Sequence, residues 1–369
     1  MSAPTLAVRG LRVRIGAREI VHGVSFEVHR EQTLGIVGES GSGKSLTVLA
    51  ATGLLDAPGA VVTGTSTLTG SPGTVELVGA GARTLRTVHS GRIGFVFQDP
   101  GTSLNPLLTV GRQITESLET HRNMTRRQAQ GRALELLAAV GLPDPQARLH
   151  SYPHQLSGGQ RQRVMIAIAM ACDPELLVAD EPTTALDVTT QAQIIELVRD
   201  LQRDTGTAVV WISHDLGVIG QVADDVTVLR DGAAVEQASV LRVFDHPQHP
   251  YTAELLEARP VIGSSAPPVG DTDAEPLLVV DGLDVRFDVH TPVGRTRVHA
   301  VRDLSFSVRR GRTLGLVGES GSGKSTVAAA LTGLVRPDAG TATLDGADLI
   351  GARGAAARAL RRRVALVFQ

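Results

Sequence analysis

Short apolar runs, each followed by a polar or glycine-rich segment, recur along the first two thirds of the chain. Residues 6–13 alternate apolar and polar side chains, which predicts a strand with one buried face. Continuous apolar runs predict strands that are buried on both faces. The continuous runs are residues 33–37, 92–97, 176–179 and 208–212. The pattern therefore predicts an α/β fold with a buried sheet at its centre.

Helices are predicted between these strands, over residues 46–55, 110–121 and 126–140. Thr125 and Gln128 have the spacing of a capping box at the start of the last of these helices. The two helices within 110–140 are expected to form a subdomain that projects from the sheet core. In contrast, the segment 99–106 (DPGTSLNP) is dense in turn-forming residues, and we predict no helix there.

The pattern starts again near the end of the chain. Residues 279–287 (VVDGLDVRF) parallel residues 8–15 (VRGLRVRI), and residues 363–369 (RVALVFQ) parallel residues 92–98 (RIGFVFQ). A strand is predicted over 313–317, as it is over the equivalent residues near the start of the chain. The chain therefore contains an internal repeat.

A stretch rich in proline, glycine, serine and aspartate, residues 258–275, separates the two copies. Its low apolar content predicts a flexible linker. We interpret residues 1–257 as a complete domain and residues 276–369 as a partial second copy. The second copy reaches Gln369 without repeating the LSGGQ, acidic-strand or histidine segments of the first.

Composition narrows the possible functions. The net charge of −2 and the pI of about 6.6 provide no basic surface for nucleic acid. The single cysteine, Cys172, excludes an internal disulfide and a multi-cysteine metal site. No apolar run reaches the ~18 residues that a membrane-spanning helix needs, and we expect a cytoplasmic protein.

The octet GESGSGKS at residues 38–45 fits the pattern GxxxxGK[ST] and follows a predicted strand. In this pattern backbone N–H groups cradle phosphates, the lysine reaches the β- and γ-phosphates, and the hydroxyl holds Mg2+. A chance match would be a glycine-rich turn, but the octet recurs unchanged at residues 318–325. The predicted phosphate-binding residues are Gly38, Glu39, Ser40, Gly41, Ser42, Gly43, Lys44 and Ser45 in the first copy, and Gly318, Gly321, Gly323, Lys324 and Ser325 in the second.

Polar residues follow three further apolar runs. Gln98 follows the run 92–97, and in a phosphate-binding protein it could ligate Mg2+ and orient an attacking water. Asp180 and Glu181 follow the next run, at the end of a predicted parallel strand. Asp180 would join Ser45 and Gln98 as a metal ligand, and Glu181 would polarise water. His214 follows the last run, and we expect it to contact the γ-phosphate.

The pentapeptide LSGGQ precedes the predicted helix that ends near residue 171. Ser157 is a good N-cap, and Gly158 and Gly159, followed by Gln160, allow a ligand to approach a second helix N-terminus. The alternative is an ordinary capped helix after a turn. Asp187 lies in a further turn, TTALD, and is a candidate nucleotide contact.

Over about residues 5–255 the chain resembles an ABC-type ATPase, because it carries the motifs of that family in the same order. These motifs are GESGSGKS, Gln98, LSGGQ, the Asp180–Glu181 strand, Asp187 and His214. FQDPGTSLNP, ADEPTTALDVTTQAQ and HPQHPYTAELL resemble the oligopeptide/dipeptide/nickel importer branch of that family. The cysteine cluster that often follows the HPY segment in that branch is not found here. The resemblance implies a P-loop NTPase of α/β class, with a mixed or parallel sheet core, an antiparallel β subdomain and a helical subdomain.

The resemblance also implies ATP and Mg2+ as cofactors and ATP hydrolysis coupled to import of di- or oligopeptides or related solutes. Phe287 would stack on adenine in the second copy, where the first has the aliphatic Ile15. The implied partners are inner-membrane permease subunits, a second ATPase domain from the same or a paralogous chain and, indirectly, an extracytoplasmic substrate-binding protein. The implied location is peripheral, on the cytoplasmic face of the membrane. The alternative function is that of a truncated fusion which binds ATP without supporting transport.

Overall fold

The computed structural model describes residues 3–184, 186–258, 275–291, 294–319 and 321–368. The chain forms two compact units, Met1–Arg259 and Pro260–Gln369, and each is described by itself. The predicted linker lies outside the described residues except at its two ends, Ala258 and Glu275.

The first unit combines two sheets with helices. Its strands are β1 (Leu6–Ile15), β2 (Arg18–Val28), β3 (Thr33–Val37), β4 (Ala60–Gly70), β5 (Gly73–Glu76), β6 (Ile93–Val96), β7 (Leu176–Asp180), β8 (Ala208–Ser213), β9 (Asp225–Arg230) and β10 (Ala233–Ser239). Its α-helices are α1 (Lys44–Ala51), α2 (Ala82–Val88), α3 (Pro100–Ser103), α4 (Val110–His121), α5 (Arg126–Ala139), α6 (Pro145–Leu149), α7 (Gly158–Met170), α8 (Val188–Thr205), α9 (Leu216–Val222), α10 (Val240–Asp245) and α11 (Pro250–Glu257). A short 3₁₀ turn, Pro153–Gln155, precedes α7.

The first sheet is antiparallel, with strand order β2-β1-β4-β5. Strand β1 alternates buried Leu6 and Val8 with less buried neighbours, as its sequence predicts. The buried face packs with Ile36 and Val48 of the next layer into one apolar cluster.

The second sheet has the order β10-β9-β3-β8-β7-β6, and only β10 is antiparallel to its neighbour. All five residues of β3 and all six of β8 are buried, which explains their continuous apolar sequences. Because these strands are parallel, the carboxyl ends of β3, β6, β7 and β8 lie at one edge of the sheet. That edge positions the candidate site.

Helices α4, α5 and α7 pack together, and their apolar side chains join those of the central sheet in one cluster. The predicted capping box is confirmed, because Thr125 accepts from the N–H of Gln128 and the Gln128 side chain accepts from the N–H of Thr125. Helix α4 buries Ile114 and Leu118 at helical spacing.

The prediction that residues 99–106 contain no helix is wrong at their start. The one-turn helix α3 spans Pro100–Ser103, and the Asp99 side chain caps it by accepting from the N–H of Gly101. Proline at the first helical position and an aspartate cap favour a helix start, although the same residues also favour turns.

The second unit has a four-stranded antiparallel sheet with the order β12-β11-β13-β14. Its elements are β11 (Pro276–Thr291), β12 (Gly294–Arg309), α12 (Lys324–Leu331), β13 (Ala339–Leu344), β14 (Ala347–Asp348) and α13 (Gly354–Arg361). Buried side chains that include Leu283, Val327 and Leu360 form its core.

The strand predicted over 313–317 is not formed, and neither is a strand over 364–368. Val317 is 95% exposed and Phe368 is 76% exposed. In the first unit the equivalent strand β3 pairs with a strand on each side, whereas no strand of the described second unit pairs with 313–317. Without those ladder bonds an apolar run does not become a strand.

Among the described residues, no helix has the length and apolar character needed to cross a membrane.

Burial in the helical subdomain leads to a stability prediction. Leu118 is 0% exposed in the cluster beneath α4. Leu118→Ala should lower the free energy of unfolding by about 2–5 kcal/mol because it removes buried methyl groups and leaves a cavity. Urea denaturation followed by the fluorescence of Trp211, the only tryptophan, reports on this unit.

Leu107→Ala provides the matched control, since Leu107 is 83% exposed. It should change the same free energy by no more than about 0.5 kcal/mol. Equal losses in the two variants would contradict the placement of Leu118 in the core.

Candidate functional site

The glycine-rich octet forms a loop between the end of β3 and the start of α1. Gly41 and Gly43 have φ angles of 84° and 92°, which side chains rarely adopt. A Cβ atom at Gly38 would collide with the carbonyl oxygen of Leu229, at the end of the neighbouring strand β9. These glycines therefore permit both the turn of the loop and its close packing against the sheet.

Lys44, the first residue of α1, folds back over this loop. Its ammonium group donates to the carbonyl oxygens of Gly38 and Glu39 at 2.8 Å each, and the residue is 5% exposed. Burial lowers the pKa of Lys44, and the nearby carboxylates of Glu181 and Asp180 oppose that shift. The loop therefore holds a cation in a site that disfavours charge, which suits the binding of an anion.

The carboxyl end of β7 brings Asp180 against the start of α1. The Ser45 hydroxyl donates to Asp180 Oδ1 at 3.0 Å. Burial raises the pKa of Asp180, and the neighbouring charge of Glu181 adds to the shift, while the Ser45 hydrogen bond opposes it. A hydroxyl and a carboxylate in contact offer the oxygen ligands that Mg2+ prefers.

Glu181 follows β7 in an unusual backbone conformation, with φ of 47°. Such a conformation is strained for a residue with a side chain and is often found at functional sites. His214 Nδ1 lies 3.0 Å from Glu181 Oε1. The Thr184 hydroxyl and the Gln98 amide each donate to Glu181 Oε2 at 3.0 Å.

These contacts decide the protonation of Glu181. Burial raises its pKa, but the hydrogen bonds from His214 and Thr184 and the charge of Lys44 outweigh burial, so the pKa is lowered. The carboxylate is therefore held ionised, and its position is fixed by the ends of β6, β7 and β8.

One cleft brings these groups together. Its lining includes the loop residues Ser40, Gly41, Gly43, Lys44 and Ser45, with Ile20, Leu46, Gln98 and Glu181. The Ser42 hydroxyl beside it is buried and has no hydrogen-bond partner among the described residues. The lysine, the positive end of α1 and an unsatisfied hydroxyl fit a polyphosphate, and the Ser45–Asp180 pair with Gln98 fits its divalent cation.

Two predicted elements lie elsewhere in the unit. Ser157 caps α7 as predicted, in a capping box with Gln160, but residues 157–160 do not line the cleft. Gly159 instead packs against Thr190. Asp187 caps α8 by accepting from the N–H of Thr190, and it too is outside the cleft.

In the second unit the repeated octet keeps the same local geometry. The Lys324 ammonium donates to the carbonyl oxygens of Gly318 and Glu319 at 2.6 and 2.7 Å, and Gly321 and Gly323 again have positive φ angles. This loop is more exposed than the first and is not preceded by a strand. Phe287 lies on β11 and is 38% exposed.

Sequence reasoning missed some residues of the site. Ile20, near the start of β2, lines the cleft. Thr184 was also missed, although its position three residues after Glu181 is a spacing at which side chains in a turn can meet. Tyr251 contacts the loop from a distant part of the sequence, and no local pattern indicates that contact.

Comparison with known proteins is consistent with this geometry. A family model described as ABC transporter matches residues 21–184 and 301–369. The glutathione import ATP-binding protein GsiA of Pectobacterium atrosepticum is 45% identical over 379 residues, which cover 95% of this chain and 61% of that protein. The protein of the same name from Escherichia coli K12 is 44% identical over 377 residues, covering 95% of this chain and 60% of its own length.

The chain thus spans about 60% of the length of these relatives. Among solved structures, the dimeric ATP-binding cassette MJ0796, in a post-hydrolysis state bound to ADP and Pi, matches with a TM-score of 0.55 and 28% identity. That match covers 64% of this chain and 98% of the cassette. Because the family model covers more than half of the chain and the cassette has the same fold, this chain belongs to the ABC transporter family.

Proposed function

We propose that this chain is an ATP-binding and ATP-hydrolysing subunit that energises an ABC importer for di- or oligopeptides or a related small solute. The observation that carries the proposal is the meeting of Lys44, Ser45 and Glu181 in one cleft at the carboxyl edge of the sheet, with Asp180 hydrogen-bonded to Ser45. The two relatives named above are glutathione import proteins, which favours a peptide-like solute.

Phosphate binding is the first role of the loop. Lys44 already donates to two carbonyl oxygens, and an ammonium group held there is within reach of phosphate oxygens at the start of α1. Charge-assisted hydrogen bonds of this kind are among the strongest in proteins. Lys44 therefore provides affinity for ATP and neutralises charge that develops during phosphoryl transfer.

Cation binding is assigned to Ser45, Asp180 and Gln98. When bound, Mg2+ supplies charge neutralisation between the β- and γ-phosphates. Ser45 and Asp180 are already in contact, so their oxygens are positioned before a cation arrives. Gln98 lines the same cleft as Ser45 and donates to Glu181, so a cation bound by Gln98 would be linked to the position of that carboxylate.

Glu181 is proposed to act on the attacking water. A carboxylate held ionised can accept a hydrogen bond from water and orient it, a contribution of about 10²–10⁴-fold in rate. His214 contacts one oxygen of that carboxylate and Gln98 the other, and we propose that His214 also contacts the γ-phosphate. Catalysis would otherwise depend on positioning and charge stabilisation.

Residues 157–160 do not line the cleft of their own unit, so they are not positioned to contact a nucleotide bound there. We propose that they contact ATP bound to a second ATPase domain, from another copy or a paralogous chain. We further propose inner-membrane permease subunits as direct partners, an extracytoplasmic substrate-binding protein as an indirect partner, and a peripheral location on the cytoplasmic face.

Glu181→Gln should lower kcat for ATP hydrolysis about 10²–10⁴-fold while ATP binding persists, because the amide cannot accept a proton but the loop is intact. Lys44→Ala should instead weaken ATP binding, since it removes a charge-assisted contact. Steady-state phosphate release and equilibrium ATP binding measure the two effects. Glu196→Gln, at an exposed glutamate of α8, is the matched control and should retain the wild-type rate. Hydrolysis at the wild-type rate by the Glu181→Gln protein would remove the assigned base.

A mixing experiment tests whether sites are shared between chains. A Cβ at Gly158 meets no atom within 4 Å, so Gly158→Asp should fold while its carboxylate repels a phosphate. Gly158→Asp and Glu181→Gln should each be inactive alone, yet a mixture should recover up to about a quarter of the wild-type rate. In an equal mixture, half of the dimers would contain one chain of each variant. Each of these mixed dimers would have one intact site of two, formed by Glu181 of one chain and Gly158 of the other. A mixture no more active than its separate components would contradict a shared site.

The burial of Asp180 predicts a pH-dependent stability difference. The pKa of Asp180 is higher in the folded state than in the unfolded state, so the ionised carboxylate lowers the free energy of unfolding at pH 7. This destabilisation disappears as the pH falls through the raised pKa, because the carboxylate is then protonated in the folded protein. Asp180→Asn keeps an acceptor for Ser45, so it should raise the Tm of the nucleotide-free, Mg2+-free protein at pH 7. That gain should shrink as the pH approaches 3.8, the ordinary value. Asp56→Asn, at an exposed aspartate, should show no such pH-dependent gain. A lower Tm for Asp180→Asn at pH 7 would show that burial does not dominate at this carboxyl.

A further inference from the structure

The segment HPQHPYT, residues 246–252, marks the importer branch in the sequence but has no part in the function proposed above. In the structure it leads into α11, and Tyr251 is 3% exposed. The backbone N–H of Glu39 donates to the Tyr251 hydroxyl at 3.1 Å. A residue 212 positions away along the chain therefore contacts the phosphate-binding loop directly.

Glu39, the residue that Tyr251 contacts, also binds the side chain of Lys44. The carbonyl oxygen of Glu39 accepts from the Lys44 ammonium at 2.8 Å, while its N–H is held by Tyr251. The backbone groups of Glu39 are thus fixed by the tyrosine on one side and the lysine on the other. Rotation of this part of the loop would move the lysine as well.

The tyrosine ring is itself held in place. The Arg230 guanidinium lies 4.7 Å from the ring centroid, a cation–π distance. The backbone N–H of Tyr251 donates to His249 Nδ1 at 3.2 Å. Burial raises the pKa of Tyr251, so the hydroxyl keeps its proton, and its oxygen accepts from the N–H of Glu39.

A buried carboxylate fixes the start of the segment. Glu236 of β10 accepts from the backbone N–H groups of Gln248 at 2.8 Å and His249 at 3.0 Å. Burial raises the pKa of Glu236, but hydrogen bonds, including these two, outweigh burial and lower it. The ionised carboxylate therefore ties the chain before α11 to the edge of the mixed sheet.

The turn between β9 and β10 contacts the same loop from a second direction. The N–H of Gly232 donates to the carbonyl oxygen of Ser42 at 3.0 Å. Leu229, at the end of β9, lies against Gly38. The loop is therefore held at its first, second and fifth residues by β9 and the part of the unit that follows it.

We propose that Tyr251 is a positioning residue for Lys44, through which the C-terminal segment of the first unit sets the geometry of the phosphate-binding loop. This inference rests on the proposed function, because the consequence of the contact is tighter binding of ATP. Packing of the ring in the core is a separate role, which the hydroxyl does not serve.

Tyr251→Phe keeps the ring and removes only the hydroxyl. The N–H of Glu39 then loses its partner, and the dissociation constant for ATP with Mg2+ should rise about three- to tenfold. KM for ATP should rise by a similar factor with kcat changed less than about twofold, since uniform binding is lost. Tyr152→Phe, at the only other tyrosine, is the matched control and should leave the dissociation constant unchanged.

Tyr251→Leu separates positioning from packing. It also removes the ring, so the Tm of the nucleotide-free protein should fall further, while ATP affinity should be no more than about twofold weaker than in Tyr251→Phe. Binding is measured on the full chain at a temperature where circular dichroism shows each variant to be folded.

The outcomes are distinct. An affinity loss already present in Tyr251→Phe supports the proposal, even if Tyr251→Leu does not fold. Wild-type affinity in Tyr251→Phe would overturn it, whatever the Tm values. A wild-type chain that binds no ATP would overturn the proposed function itself, and this inference with it.

Discussion

The pairing of β3 with a parallel strand on each side is the constraint on which the first unit depends. Strands β8 and β9 bond to all or most of its five residues, and every one of these residues is buried. The strand ends at Val37, and the phosphate-binding loop begins at the next residue. Because β8 runs parallel to β3 and β7 runs parallel to β8, Lys44, Asp180 and His214 meet at one edge of the sheet.

The second unit shows what the same sequence does without that constraint. Residues 313–325 repeat the strand and loop almost unchanged, and the loop keeps its lysine-to-carbonyl hydrogen bonds. The strand is nevertheless absent, and Leu314, Leu316 and Val317 are exposed. Local geometry is therefore encoded by the octet, whereas the strand needs ladder partners from distant parts of the sequence.

This contrast explains how far the sequence predicts the structure. Local patterns predict α4 and the Thr125 cap closely, since each depends on neighbours within a few residues. The apolar run of β3 predicts a buried strand, but that strand forms by pairing with the distant strands β8 and β9. The strand-end residues Gln98, Asp180, Glu181 and His214 could be identified because parallel strands bring their ends together. An apolar run indicates that a segment can be buried, but it does not show which strand will pair with it. For this reason a strand was predicted at 313–317, although none forms there.

The contacts that sequence reasoning missed are of the same long-range kind. Tyr251 contacts Glu39 across 212 positions of the sequence, and Ile20 lines the cleft from near the start of β2. Neither depends on a local pattern. The prediction for residues 99–106 is wrong for a different reason. Aspartate followed by proline favours both a turn and a helix start, and helix α3 begins after Asp99.

The N-terminus of α7 places a last physical limit on the site. The capping box engages the N–H groups of Ser157 and Gln160, and the carbonyl oxygen of Ser157 accepts from Arg161. An anion at this helix would therefore be bound mainly by Gly158 and Gly159. A Cβ at Gly158 would meet no described atom within 4 Å, and Gly158 does not line the cleft of its own unit. If this helix end binds the phosphates of ATP as proposed, it therefore does so at the phosphate-binding loop of another domain.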